Sequence, residues 1–172
     1  VCSGRSSAQG GAMRTQLIAN ITISSSAFVS NMASSDDGYG GGGAILMIDT
    51  TIVLVTDSKF RQNKVNSDEG QVEAGAISLE KITGSLIIDS SAFLNNNASS
   101  RIGSTNGGAL QLKKSRSSEI RNSMFQYNLA YSEISGAYGG AIQVNNMDEF
   151  ISITNTSFIQ NSASSNEGSS YG

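Results

Sequence analysis

The sequence has no histidine, no proline and no tryptophan, a single cysteine, and only 6% aromatic and 15% charged residues. Each shortage excludes something. Without histidine, the commonest proton shuttle and metal ligand is missing, and no cofactor or metal site is expected. One cysteine cannot close an internal disulfide; Cys2 reads as a free thiol or as a bond to a partner or to a further part of the chain. The formal net charge of −3 gives no reason to expect a nucleic-acid partner, since phosphate binding needs clustered Lys and Arg. No apolar run reaches the roughly 18–20 residues of a membrane span, so no membrane insertion is expected. The first residues read neither as a signal peptide nor as a start with Met, and Val1 is expected to be a cut point in a longer precursor. Scarce aromatics with abundant Gly and Ser would suit disorder, but the apolar residues recur at fixed intervals.

That recurrence is a five-fold repeat. The tetrad Gly-Gly-Ala-apolar stands at Gly10–Met13, Gly42–Ile45, Gly107–Leu110 and Gly139–Ile142, with Ala74-Gly75-Ala76-Ile77 in the remaining slot. Its alanines, 12, 44, 76, 109 and 141, step by 32, 32, 33 and 32 residues. A second motif, Phe-x-x-Asn, keeps the same beat: Phe28/Asn31, Phe60/Asn63, Phe93/Asn96, Phe125/Asn128 and Phe158/Asn161. Two residues before each Phe comes Ser26, Ser58, Ser91, Ser123 or Thr156, and two after each Asn a small apolar residue. The one-residue variation falls between the alanine and the following Phe, which marks a surface bend. The repeats run approximately over 10–41, 42–73, 74–106, 107–138 and 139–172, in one segment spanning 1–172.

Each repeat alternates apolar and polar residues with period 2, as in Ile45/Met47, Ile77/Leu79 and Leu110/Leu112, and again in Val53/Val55 and Leu86/Ile88. Alternation over four to six residues, β-branched ones dominating the second segment, predicts half-buried strands, two or three per repeat, and no helix. A single repeat cannot bury its own face, whereas stacked copies can. The fold class predicted is all-β: a right-handed parallel β-helix, a solenoid of about five coils of 32–33 residues. A propeller blade needs more strands and a leucine-rich repeat needs a leucine ladder; neither fits. Stacking puts the five Phe in one row and the five Asn in another, where amides can bond along the axis. The second glycine of each tetrad, Gly11, Gly43, Gly75, Gly108 or Gly140, is expected to need positive φ or room that a Cβ would fill. Loops of about ten Ser-, Gly- and Asn-rich residues are expected before each glycine pair. Leu46, Leu54 and Ile87 fall on outward positions; Leu54 and Ile87, equivalent in neighbouring coils, form a patch for another subunit or mark a register shift.

Gly-Gly-Ala-Ile alternating with Phe-x-x-Asn resembles the repeats of the polymorphic outer-membrane proteins of chlamydiae and related β-helix repeat proteins. The resemblance covers the whole chain. It implies a surface-exposed passenger with adhesive or structural duty.

Catalysis on such a scaffold would need paired acids on one outer face. The acids here (Asp36/Asp37, Asp49, Asp57, Asp68/Glu69, Glu73, Glu80, Asp89, Glu119, Glu133, Asp148/Glu149 and Glu167) do not keep register from coil to coil and read as solvated loop residues. No serine has an evident base beside it. The Gly40–Gly43 run precedes a strand, with no Lys-Ser/Thr after it, so it is not a phosphate loop. No catalytic residue is assigned. Three sequons, Asn20-Ile21-Thr22, Asn97-Ala98-Ser99 and Asn155-Thr156-Ser157, are expected to be exposed, and are glycan acceptors only in a eukaryotic secretory setting. The outward row Thr22, Leu54, Ile87, Glu119 and Ser152 lacks the regular threonines of an ice-binding face.

The function expected is an extracellular structural or adhesive segment of a cell-surface or fibre protein, without catalysis. The alternative is a carbohydrate-binding or polysaccharide-degrading β-helix whose site lies elsewhere. Expected partners are other subunits or further repeats of the same chain at both ends, and surface glycans. The repeat reaches both ends without a polar cap, so a window on a longer β-helix or end-to-end stacking into a filament is expected.

Overall fold

The structure, a computed structural model, describes residues 2–3 and 7–172, with side chains from residue 7 onward. The described residues form a parallel β-solenoid of about five turns with no helix, in which every strand pairing is parallel. Each turn carries strands on four faces, where the sequence suggested two or three. The long face holds Met13–Ser24, Ile45–Thr56 and Ile77–Asp89, then Leu110–Lys113 with Ser117–Arg121, and Ile142–Asn145 with Phe150–Thr154. The phenylalanine face holds Ala27–Val29, Lys59–Arg61, Ala92–Leu94, Met124–Gln126 and Ser157–Ile159. A small-residue face of Met32–Ser35, Lys64–Ser67, Asn97–Ser100, Leu129–Ser132 and Ser162–Ser165 follows. A corner face of two-residue strands, such as Val72–Glu73 and Thr105–Asn106, leads into the next turn. The last two faces occupy the stretches expected to be loops. Their inward residues, Ala33, Val65, Ala98 and Val72, are small or slender and form a core of their own.

The main core lies between the long and phenylalanine faces. It joins Ile45, Met47, Val53, Val55, Ile77, Leu79, Leu86, Ile88, Leu110, Leu112 and Ile120 with the Phe row. Strand registers place like on like, for example Ile45↔Ile77↔Leu110↔Ile142 and Phe60↔Phe93↔Phe125. Ser118 is one exception: it stacks between Leu86 and Ile151, buried, and its hydroxyl has no partner; Thr50, stacked on Ile82, is another.

Each turn closes through four left-handed residues. In the third these are Ala74 (φ 56°), Lys81 (58°), Ser90 (49°) and Asn95 (54°), and equivalents recur in every turn. Only the first class is usually glycine, at Gly10, Gly42, Gly107 and Gly139. The extra residue of the third turn is absorbed by a register shift between Ile82 and Ser85, at the bend of the long face.

Candidate functional site

The motif residues form continuous ladders. Phe28, Phe60, Phe93, Phe125 and Phe158 stack with ring centroids 5.0, 4.9, 4.6 and 5.2 Å apart and nearly parallel planes. Phe60, Phe93 and Phe125 are fully buried. Beside them the Asn side chains run along the axis. Asn96 Oδ1 accepts from both the backbone N–H and Nδ2 of Asn63, each at 3.0 Å. Asn96 in turn donates its N–H and Nδ2 to Asn128 Oδ1, each at 3.0 Å, and Nδ2 also donates to Phe60 O. Asn31, Asn63, Asn128 and Asn161 continue the same pattern. The hydroxyls two before each Phe make a second ladder: Ser91 Oγ accepts from Ser58 N–H at 3.2 Å and donates to Asp89 O at 2.8 Å. This accounts for a position the repeat keeps as Ser or Thr.

A third ladder escaped sequence reading. Ser35, Ser67, Ser100, Ser132 and Ser165 are the residues four after each motif Asn. Ser100 Oγ accepts from Gly103 N–H and donates to Gly70 O, both at 2.9 Å, and Ser67, Ser132 and Ser165 likewise tie their own bend to the previous one. The signal was the same five-fold register.

The second glycine of the tetrad answers one of its two expected demands and not the other. Positive φ belongs to the first position, which Ala74 also adopts. Gly11, Gly43, Gly75, Gly108 and Gly140 instead lack space. A Cβ on Gly75 would run into the Gly108 carbonyl of the next turn and the Asn97 backbone, and the other four meet equivalent backbone atoms.

Two outward expectations are corrected at the bend between corner and long faces. Leu46, placed outside, is only 1% exposed, and Ser78 and Gln111 beside it are fully buried. The bend is concave outward, so side chains from both faces meet in it. Glu73, read as a solvated loop acid, is also 1% exposed. Its carboxylate accepts from Tyr39 Oη at 2.7 Å, Gln71 Nε2 at 3.2 Å and Ser78 Oγ at 3.4 Å, and pairs with Lys113 Nζ at 3.4 Å. Burial, then the Glu73 charge, pushes the Tyr39 phenol far above its usual range, so it stays a neutral donor. Next to this cluster, Gln111 has neither amide atom hydrogen-bonded.

Elsewhere the outer surface is open. Leu54 and Ile87 are adjacent as expected, and half-buried. Asp89 accepts from Arg121 Nε and Asn122 Nδ2, each at 2.9 Å. The Asn122 bond first, and then Arg121, holds its carboxyl down at about 2. Of the sequons, Asn20 and Asn155 are exposed, Asn155 donating to Asn122 at 2.7 Å. Asn97 departs from expectation: it is half-buried, with Oδ1 enclosed and unpartnered. The Cys2 side chain and Val1 lie outside the described residues; the Cys2 backbone pairs with Ser34. Among the described residues no group of three or more His, Cys, Asp or Glu is placed to hold a metal ion, and no helix is long and apolar enough to cross a membrane.

Comparison with protein-family models, curated proteins and solved structures finds no match to this chain.

Proposed function

We propose that the chain is an extracellular structural or adhesive β-helix segment of a cell-surface or fibre protein, and that it does no chemistry itself. One observation carries this reading. The residues repeated five times are consumed by the Phe, Asn and Ser ladders inside the solenoid, while outward positions change from turn to turn. That division suits a spacer displaying a variable surface. The resemblance to the chlamydial polymorphic outer-membrane repeats supports the surface setting. Partners in this reading are further turns or subunits on the end faces. Labelling intact cells of the source organism with an antibody to the chain tests it: the expected outcome is a surface signal removed by external protease, and signal appearing only after lysis would sink it.

A second reading is kept for glycans. Tyr138 and Tyr171 stack at 5.6 Å, offering an aromatic face of the kind sugars pack on, and the same part of the chain carries a half-buried amide pair in which Gln143 donates to Asn145. A glycan array discriminates: a spacer is silent on it, and binding abolished by Tyr171→Ala favours the second reading.

A further inference from the structure

The small-residue face carries a cleft of about 350 Å³ on its outer side, across turns two to four and away from both ends of the stack. The third turn is its floor, presenting Asn97, Ser99 and Arg101. The second turn is one wall, with Lys64, Asn66 and Asp68, and the fourth is the other, with Leu129, Tyr131 and Glu133. Strand registers set Ser99 between Asn66 and Tyr131, so the shortest side chain of the three lies in the middle. Both walls are held away from it. Asn66 Nδ2 donates to Ser34 Oγ in the first turn at 2.7 Å, and Tyr131 Oη accepts from Asn166 Nδ2 in the fifth at 3.0 Å.

The polar groups around the cleft are free to serve a ligand. Lys64, Asp68, Arg101 and Glu133 are exposed, and among the described residues no ion pair joins them. This holds although Arg101 follows the floor strand between Asp68 and Glu133 of the adjacent turns. Asn97 stacks between Lys64 and Leu129, its Oδ1 has no partner, and a half-turn of the amide would offer that oxygen to the cleft.

We infer that this cleft binds a short neutral saccharide. It rests on the glycan reading and gives that reading a site apart from the Tyr138–Tyr171 pair. Each part of the cleft selects for this class. Walls two turns apart are separated by about 9–10 Å, backbone to backbone. That is too little for a helix at least about 10 Å across, but enough for a sugar ring on edge. The strands Lys64–Ser67, Asn97–Ser100 and Leu129–Ser132 pair with one another through their backbones, so a peptide cannot add between them as a further strand. Two cations face two anions, which gives a charged ligand no net attraction. A sugar hydroxyl both donates and accepts, so it can meet Asp68 and Glu133 as a donor and Lys64 and Arg101 as an acceptor. The half-buried Tyr131 ring supplies apolar surface for the C–H side of a pyranose.

An array of neutral di- to pentasaccharides probed with the 172-residue chain tests this, followed by calorimetric titration of the best-bound sugar. Binding to at least one neutral saccharide is expected. Ser99→Tyr fills the floor from outside the core and should abolish it. Tyr131→Ala should weaken it about tenfold, and Tyr131→Phe, which keeps the ring, should stay within about twofold of the parent. Circular dichroism confirms that each variant is folded. Binding that survives both Ser99→Tyr and Tyr131→Ala, or that is lost in Tyr171→Ala instead, overturns this inference alone. A silent array overturns it together with the glycan reading and leaves the spacer. Surface labelling is independent: cleft-dependent binding by a chain found only inside cells sinks only the surface reading.

Discussion

The inner ladders and the outer corner are both made by stacking equivalent positions 32 or 33 residues apart, but they use the stack differently. Inside, every turn supplies the same residue, so one geometry satisfies all: each Phe meets a Phe, and each Asn gives and takes the same bonds. At the corner the row reads Gln9, Gly41, Glu73, Asn106, Tyr138 and Tyr171, and apart from the stacked tyrosines at its end neighbouring turns supply different residues. Glu73 is satisfied by four groups, one from the turn before and one from the turn after, whereas Gln111 nearby is satisfied by none. Repetition makes polar burial routine; variation makes it a local problem solved case by case.

The largest way to break the inner side of this comparison is Phe93→Ala, which removes a fully buried ring stacked on both faces. A loss of about 3–5 kcal/mol is expected, measured by denaturant unfolding. Asn96→Leu comes next. It leaves the Asn63 donors without their shared acceptor and removes the Asn96 side-chain donor from the Phe60 carbonyl, inside the protein. A cost of about 3 kcal/mol follows from the penalty for stranded buried groups; an unchanged melting temperature would refute the amide ladder. At the corner, Lys113→Met should cost less, about 1–2 kcal/mol. The lysine is 31% exposed, and Tyr39, Gln71 and Ser78 still serve Glu73. Adding Glu73→Gln should recover part of that loss in a double-mutant cycle. The smallest change sharpens the comparison from the other direction. Ala74→Gly relieves the one alanine at a left-handed position that is glycine in the other four turns, and should stabilise by about 0.5–1 kcal/mol in the same unfolding assay.

Legibility in the sequence follows the same division. Ladders of one residue type are visible as period, and the Phe and Asn rows, the long-face strands and the parallel stacking were all readable from it. The small-residue and corner faces were hidden because Ala33, Ala98 and Ser100 look like loop composition, and their strands are only two to four residues long. The second-glycine constraint was readable as a need for space, but the left-handed bends were not. They are filled by residues as unlike as Leu17, Lys81, Tyr127 and Asn155, none obliged by chemistry to turn there. Glu73 was misplaced because its partners Tyr39 and Lys113 lie 34 and 40 residues away on the outside of a bend, and sequence periodicity does not reveal a bend's concavity.

The four left-handed bends per turn have a consequence for how such a protein grows. They fix the perimeter of its cross-section, much as corner posts fix a fence. An extra residue is taken up where the long face already kinks, between Ile82 and Ser85, and the Phe and Asn rows are undisturbed. Width is therefore a constant of the architecture, and length, in whole turns, is the dimension left free to vary.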